Sequence, residues 1–416
     1  MPITSDLRTA VRLASRLLAS RRSRRALARR LPSVATPAPG SIEVAVYFAD
    51  GPVNMYQVRQ WYAPLAELAR THPVAIVSRS PGTMLQLLEE SPVPVVYARQ
   101  VIDLEHFVET QAPKLVLYVN QNARNFQMMR YGRMWHVFVN HGESDKMYMT
   151  TNQFKAYDHA LIAGDAARDR LAEALWDYDL DTRTTAIGRP QADHFAGTVP
   201  YPHDDRTVVL YAPTWEGDRP AAAYGSIASH GTIIAEQVLA SPRHRLVYRP
   251  HPRSGVLDPA YKAAHERILA AITAANAADP SAHHVHDDGP TLGWQLADAD
   301  VAITDISAMI YDRLAVGKPL IVARPVSPEA EVDERGYLGD ANWLTAEDAP
   351  RVLERVDAAA GDADELARLQ HWVVRYFGDT TPGAATARFH AAVEQLLARW
   401  RDVAAARGEG GPRAER

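Results

Sequence analysis

The sequence contains no cysteine among its 416 residues. Disulfide bonds, thiolate metal sites and cysteine nucleophiles are therefore excluded together, and a reducing compartment is expected. No run of about 18 apolar residues occurs, and the N-terminus lacks the apolar core of a signal peptide, so we expect neither a spanning helix nor secretion. GxGxxG after a first strand and GxxxxGK[ST] are also missing. Neither a dehydrogenase nor a P-loop nucleotide hydrolase is therefore supported.

Metal-binding patterns are scarce as well. The sequence has no HExxH and no comparable carboxylate and histidine spacing, so a zinc site is not supported. His283, His284 and His286 lie close together, but their alternation predicts a strand with outward-facing histidines rather than a metal site. We therefore predict a protein that needs no metal and no cofactor.

Length and composition are those of a folded enzyme. Apolar residues make up 47% and charged residues 23% of the chain, which are ordinary values for globular proteins. The chain is longer than one hydrophobic core usually serves, so two domains are expected. The net charge of -5 is unevenly distributed, because residues 1–30 hold nine arginines and a single acidic residue, Asp6. The rest of the chain is therefore acidic.

The arginine-rich segment from Ser5 to Leu31 predicts a basic amphipathic helix. Its apolar stripe consists of Leu7, Val11, Ala14 and Leu18. Such a helix can lie on an anionic membrane, with a gain on the order of 1 kcal/mol for each basic side chain near the surface. We expect a cytoplasmic protein that is peripheral on the inner face of the cell membrane. A solvated tail and a transit peptide stay open. With the proline-rich linker that follows, this unit covers residues 1–37.

After the linker, short β-branched and aromatic segments alternate with helical segments in two successive halves. The predicted strands of the first half are residues 42–48, 74–77, 93–97, 115–119, 135–139 and 159–163. Those of the second half are residues 207–211, 246–248, 284–286, 301–304 and 319–322. This alternation predicts an α/β fold with two Rossmann-like domains that face a central cleft. A polar segment around Pro200 separates domains 38–200 and 201–383, and residues 384–416 form a C-terminal helix and polar tail.

The segment YRPHPR directly follows a predicted strand of the second half, where doubly wound sheets bind their ligands. Two prolines fix the backbone around its histidine. The segment thereby holds Arg249, His251 and Arg253 at one strand end, which suits the recognition of a diphosphate. A structural or merely exposed histidine is the alternative.

Two further segments of the second half place hydroxyl side chains after strands. In YAPTWEG, Thr214 lies in a turn that contains proline. In ITDISAMIYD, a strand ends at Thr304 and a helix begins near Ser307, so free backbone N–H groups and two hydroxyls could bind a phosphate. An ordinary helix cap explains the same residues.

The segment FVNHGESDK follows a predicted strand of the first half. Its histidine, His141, is the candidate general base, because an imidazole accepts a proton readily at neutral pH. Glu143 or Asp145 could orient this ring, and Lys146 could meet a phosphate on the acceptor side. An ordinary loop histidine is the competing interpretation.

Four motifs occur in the order and spacing that they have in the CDP-glycerol glycerophosphotransferases: LYAPTWEG, YRPHPRSG, ITDISAMIYD and RYFGDTTPGAATARF. The chain therefore resembles this family over about residues 115–395. This teichoic-acid polymerase family implies two Rossmann-like domains of GT-B type, peripheral membrane association and synthesis of poly(glycerol phosphate). The resemblance implies that His141 is the base and that His251 contacts the donor phosphate. It further implies a nucleotide pocket formed by Thr304, Asp305, Ser307 and Asp312.

The leading functional prediction is a transferase that moves a glycerol phosphate or related polyol phosphate from a CDP-activated donor. The acceptor is a hydroxyl of a lipid-linked or polymeric cell-wall substrate, and CMP is released. A GT-B glycosyltransferase that uses a nucleotide sugar, a nucleotide-sugar epimerase and a non-catalytic polymer-binding protein stay open, as does a homo-oligomer. Nucleic-acid binding is disfavoured, because the basic residues concentrate in one N-terminal helix.

Overall fold

The computed structural model describes residues 20–145, 150–289 and 292–408. The first half of this part contains a seven-stranded sheet with the order β3-β2-β1-β4-β5-β6-β7, in which all paired strands are parallel. Its strands are β1 (Val44–Phe48), β2 (Val74–Ser78), β3 (Val95–Tyr97), β4 (Leu115–Tyr118), β5 (Trp135–Phe138), β6 (His159–Ile162) and β7 (Thr184–Ala186).

The second half contains a six-stranded parallel sheet with the order β10-β9-β8-β11-β12-β13. Its strands are β8 (Thr207–Ala212), β9 (His244–Tyr248), β10 (Val285–His286), β11 (Val301–Thr304), β12 (Leu320–Ala323) and β13 (Trp343–Leu344). Both sheets therefore have the strand order of a doubly wound Rossmann sheet. The predicted α/β architecture with two Rossmann-like halves is confirmed, and the two sets of strands lie on either side of the boundary proposed near residue 200.

The helices lie between the strands and at the two ends of the described chain. In the first half they are α1 (residues 20–30), α2 (Met55–Arg59), α3 (Tyr62–Leu68), α4 (Pro81–Glu90), α5 (Val101–Gln111), α6 (Asp165–Ala174) and α7 (Leu180–Arg183). In the second half they are α8 (Thr232–Leu239), α9 (Pro259–Ala278), α10 (Trp294–Asp298), α11 (Ala308–Val316), α12 (Val352–Gly361), α13 (Ala363–Phe377) and α14 (Ala384–Ala406). No helix among the described residues is long and apolar enough to cross a membrane.

Strand β1 shows why these apolar runs form a central sheet. All five of its residues are buried. Val44, Val46 and Phe48 belong to the core on one face of the sheet, whereas Ala45 and Tyr47 belong to the core on the other face. A parallel sheet covered on both faces requires such continuously apolar strands, since no side of the strand meets water.

The C-terminal helices connect the two halves. Helix α13 contributes Val373 and Phe377 to the core of the second sheet, and α14 then returns to the first sheet, where Phe389 and Val393 are fully buried. Close approach is possible because Gly188 lies where a side chain would collide with α13, since a Cβ there would be 2.8 Å from the carbonyl oxygen of Phe377. The final helix was expected as a separate C-terminal unit, and the structure packs it into the core of the first half.

The described part of the N-terminal segment is folded onto the protein. Leu27 of α1 is buried, whereas five of the six arginines of this helix are exposed and Arg24 is half-buried. Arg30 forms an ion pair of 2.7 Å with Glu89 of α4. The linker is held to α5, because the side-chain amide of Gln111 donates a hydrogen bond to the carbonyl of Pro37. The predicted apolar stripe from Leu7 to Leu18 lies outside the described residues.

Candidate functional site

Each sheet has a point at which the strand order reverses, and a cavity opens at both of these points. In the first sheet the point lies between β1 and β4, and in the second sheet it lies between β8 and β11. Doubly wound sheets bind ligands outside the carboxyl ends of the strands at this position. We call the two cavities the β1–β4 cavity, with a volume of about 400 Å³, and the β8–β11 cavity, with a volume of about 750 Å³.

The β8–β11 cavity gathers residues from segments that the sequence singled out. Thr214, Arg249, His251 and Ser307 all line it. Ser307 is the N-cap of α11, so the first turn of this helix opens toward the cavity with its free backbone N–H groups and the positive end of its dipole. The three strand ends therefore meet in one place, as an anion-binding site requires.

The hydrogen bond of His251 determines which ring nitrogen it offers. Its Nδ1 accepts the backbone N–H of Arg253 at 3.1 Å. In the neutral ring the proton therefore resides on Nε2, which is left to act as a donor. Arg253 itself does not line the cavity, and its guanidinium lies 3.7 Å from the ring centroid of Trp215, which does. This stack fixes the indole beside His251.

The guanidinium of Arg249 is only partly available to a ligand. It forms an ion pair with Asp287, which follows β10, and it donates a hydrogen bond of 3.1 Å to the carbonyl of Gly289. Such fixed geometry leaves fewer donors free, but it holds the side chain in one orientation. Because Asp287 offsets the charge of Arg249, the N-terminus of α11 is a second source of positive potential at this cavity.

Glu216 stabilises the loop that presents His251. Its carboxylate accepts backbone N–H groups from Gly255 at 3.0 Å, Leu257 at 2.7 Å and Asp258 at 3.1 Å. Burial alone would raise the pKa of Glu216, but these hydrogen bonds favour the carboxylate and lower the pKa overall. The charged form therefore anchors the start of α9 and the preceding loop to the turn after β8.

Thr304 and Asp305 lie beneath the β8–β11 cavity and do not line it, although the resemblance implied that both belong to a nucleotide pocket. Both side chains are fully buried. One oxygen of Asp305 accepts the backbone N–H of Thr214 at 2.7 Å and of Ser226 at 3.0 Å. Burial raises the pKa of this carboxyl to about 7. Asp305 therefore stabilises the turn that contains Thr214.

We expect Asp305→Asn to change how stability depends on pH. The ordinary pKa of an aspartate is near 3.8, whereas that of Asp305 in the folded protein is about 7. Between these two pH values the folded protein binds one more proton than the unfolded chain. Wild-type stability therefore falls as the pH rises from the first value to the second. The full difference corresponds to about 4 kcal/mol. Thermal unfolding midpoints at pH 5 to 8 should therefore decline less in Asp305→Asn than in the wild type. Asp402→Asn, on the exposed face of α14, is the control, and parallel curves for Asp305→Asn and wild type would contradict the assignment.

His141 lines the β1–β4 cavity directly after β5. Its Nδ1 lies 2.9 Å from the carbonyl oxygen of Val119, so Nδ1 carries the proton and Nε2 is free to accept one. Burial, followed by repulsion from Arg189, lowers the pKa of His141 below its ordinary value. The imidazole is therefore neutral at pH 7, which is the state that a general base requires.

Glu143 and Asp145 were expected to orient His141, and the structure places them in another network. Arg170 donates to both carboxylates at 2.5 Å. Asp145 also accepts the hydroxyls of Tyr311 at 2.7 Å and Tyr376 at 2.6 Å, which belong to the second half. Burial outweighs the nearby arginine and raises the pKa of Glu143. The ring of His141 is instead oriented by a backbone carbonyl. Lys146, predicted on the acceptor side, lies outside the described residues.

Asp312 takes part in a second contact between the halves and does not line the β8–β11 cavity. It forms a buried ion pair with Arg189, which follows β7. Burial outweighs this arginine and raises the pKa of Asp312. Arg189 also donates a hydrogen bond of 3.3 Å to Gln60 and lies over the ring of Phe195. The last residue of the ITDISAMIYD motif therefore connects α11 to the first half.

Several cavity residues were missed, although the strand-end rule that found His251 also applies to them. Asp50 follows β1 and Asn120 follows β4, and both line the β1–β4 cavity.

The prediction that the histidines near β10 face outward was partly wrong, because His284 is buried and its Nδ1 accepts the backbone N–H of Leu246. His286 lines the β8–β11 cavity. Within the described residues, no cluster of three or more histidine, aspartate or glutamate side chains is arranged for a metal ion.

Comparison with known proteins identifies the fold. No family model and no curated protein sequence matches the chain. A putative UDP-N-acetylglucosamine 2-epimerase from Listeria monocytogenes is similar in structure, with a TM-score of 0.56 and 16% identity over 86% of this chain and 97% of that chain. A variant of the wall teichoic acid polymerase TagF has a TM-score of 0.52 and 11% identity over 95% of this chain and 98% of that chain. The chain therefore has a GT-B fold with two Rossmann-like domains.

Proposed function

We propose that this protein is a transferase that uses a nucleotide-activated donor. The proposal rests on two histidines, one in each cavity, whose Nε2 atoms are in opposite protonation states. His251 offers a proton on Nε2 beside the N-terminus of α11, whereas His141 offers an unprotonated Nε2 in the other cavity. One cavity thus suits a donor's phosphates and the other suits activation of an acceptor hydroxyl.

In its specific form, the proposal is transfer of a polyol phosphate from a CDP-activated donor to a hydroxyl of a membrane-linked cell-wall polymer. The acceptor oxygen forms a bond to the distal phosphorus while the bond from that phosphorus to the oxygen of CMP breaks. The proton of the acceptor moves to Nε2 of His141. His251, Ser307 and the N-terminus of α11 stabilise the charge on the phosphate oxygens. The position of the resemblance motifs YRPHPRSG and ITDISAMIYD around this cavity supports the choice of donor.

Identification of the released nucleotide tests the reaction type. The protein is incubated with CDP-polyols and with nucleotide sugars, with and without lipid-linked or polymeric acceptors, and the products are separated by chromatography. Release of CMP supports phosphoryl transfer. Release of CDP or UDP means glycosyl transfer, and conversion of a nucleotide sugar without an acceptor means epimerisation. A protein that neither releases nor converts any nucleotide is not a transferase of this class.

We also propose that the N-terminal segment attaches the protein to an anionic membrane surface. In the described part of this segment, residues 20–30 form a helix in which five of the six arginines are exposed while Leu27 packs inward. The attraction of basic side chains to anionic lipids supports binding. We expect co-sedimentation with vesicles that contain anionic lipid, and weaker co-sedimentation after deletion of residues 1–37. Equal binding of both proteins would contradict the proposal.

A further inference from the structure

The lining of the β1–β4 cavity is unusual in its chemistry. Seven of its eleven residues are asparagines or glutamines, and the others include Asp50, His141 and Thr151. No lysine or arginine lines it among the residues that the structure describes. Phosphate sites are built from arginine, lysine or the N-termini of helices. The α-helix N-terminus in this wall, at Asn54, belongs to α2, which has only five residues. The described walls of this cavity therefore do not have the composition of a phosphate site.

Amide side chains suit ligands that carry many hydroxyl groups, because each amide has both a donor and an acceptor. Gln57 and Asn140 use both the nitrogen and the oxygen of the amide in hydrogen bonds within the protein, whereas Asn120 and Gln153 use only the nitrogen. The amide nitrogen of Asn120 donates to Asp50 at 2.6 Å and to Gln57 at 2.7 Å. The amide nitrogen of Gln153 donates to the hydroxyl of Tyr157 at 3.1 Å. The amide oxygens of Asn120 and Gln153 have no partner among the described residues and are available to a ligand.

Asp50 is the residue of this cavity that bears on the charge of a bound ligand. Its two carboxylate oxygens each accept an amide N–H, from Asn54 at 3.1 Å and from Asn120 at 2.6 Å. A carboxylate held in this way still accepts a further hydrogen bond from a hydroxyl group. It repels a phosphate, since two negative charges at close range in a partly desolvated site are unfavourable.

An aromatic side chain lies at the rim of the same cavity. Tyr56 precedes Gln57, is 52% exposed, and its ring centroid is 5.8 Å from that of His141 in an edge-to-face arrangement. Exposed aromatic rings with a polar edge are adapted to ligands that have both apolar and polar faces. The C–H face of a sugar ring is such a surface.

From these observations we infer that the β1–β4 cavity binds an uncharged polyhydroxyl group, a sugar or polyol end, and discriminates against a phosphorylated one through Asp50. This inference rests on the proposed function, in which the bound hydroxyl is the acceptor. It names the chemical class of the acceptor end and assigns Asp50 as a specificity-determining residue.

The test compares matched ligands that differ by one phosphate: glucose with glucose 6-phosphate, and glycerol with glycerol 3-phosphate. The full chain is labelled with ¹³C-histidine, and the imidazole resonance of His141, assigned by its loss in His141→Asn, reports binding in this cavity alone. We expect the neutral member of each pair to bind at least about tenfold more tightly. Asp50→Asn should weaken neutral binding by about tenfold and reduce the preference by a similar factor. Asp402→Asn should leave both unchanged.

A second variant keeps the test independent of any disturbance at Asp50. Gln121→Lys adds a positive charge to the cavity wall and should shift the preference toward the phosphorylated ligand by about tenfold. The inference is overturned if the His141 resonance responds more strongly to the phosphorylated ligands in the wild type, if it responds to no ligand, or if the preference is the same in Asp50→Asn. Donor turnover does not enter this titration. A protein that binds neutral ligands here but releases no nucleotide would contradict the proposed transfer and leave this inference standing.

Discussion

Replacement of His141 by asparagine is expected to lower the transfer rate by about 100- to 10,000-fold, which is the usual contribution of a general base. The side-chain amide of asparagine can still donate to the carbonyl of Val119, as Nδ1 of the imidazole does, but it has no group that takes up a proton in place of Nε2. The loss should appear in kcat with a saturating acceptor. Binding of the donor should be unchanged, because His141 lies in the β1–β4 cavity.

The measurement is steady-state release of nucleotide from the donor identified in the panel. His106→Asn, on the exposed face of α5, is the matched control and should retain full activity. The pH dependence gives an independent check, because burial and the nearby Arg189 lower the pKa of His141. The rate in the wild type should therefore fall only below the ordinary histidine value, as the base becomes protonated. Near-wild-type turnover in His141→Asn would rule out the role of base.

The second large effect is expected at the contact between the halves, where Arg189→Met should destabilise the protein by about 3 to 5 kcal/mol. The substitution removes the positive partner of Asp312, whose carboxylate is buried. An unpaired charge in that position must either stay ionised at high cost or take up a proton. The thermal unfolding midpoint should fall accordingly, and it should fall further as pH rises, since an isolated carboxylate is more costly at higher pH.

The double variant Arg189→Met with Asp312→Leu separates the cost of an unpaired charge from the loss of packing. Replacement of both members of a buried ion pair by apolar side chains is commonly near neutral, so the double variant should recover most of the lost stability. Arg401→Met is the control, because Arg401 forms an exposed pair of 3.5 Å with Glu394 on α14 and should cost less than about 1 kcal/mol. An Arg189→Met variant that unfolds at the wild-type midpoint would show that the pair contributes nothing.

The strands were the most predictable part of the fold. The predicted bounds of β11 agree with Val301–Thr304, and β5 and β6 differ from their predictions by one residue. Strands β7 and β13 were missed. Each lies at one edge of its sheet and has only three or two residues. The strands at the opposite edges, β3 and β10, are equally short, but they were predicted because the sequence segments VPVVY and HVH show the strand pattern.

The candidate site was only partly predictable. The strand-end rule selected Thr214, His251 and Ser307 correctly as neighbours, since it depends only on where each strand ends. The rule could not predict with which residue each charged side chain forms an ion pair. Arg249 was expected to meet a phosphate and is paired with Asp287, and Asp312 was expected in the nucleotide pocket and is paired with Arg189. These partners lie 38 and 123 residues apart in the sequence, and no local pattern relates them.

The sequence by itself therefore determined the alternation of strand and helix, the two halves and the polar segments that follow the strands. It did so because buried parallel strands require uninterrupted apolar runs, and because turns at their ends require polar residues. Only the tertiary structure decided which tautomer each histidine presents, which carboxylates are buried and what lines the β1–β4 cavity. These features depend on the strand order, which brings Asp50, Asn120 and His141 together from three separate loops.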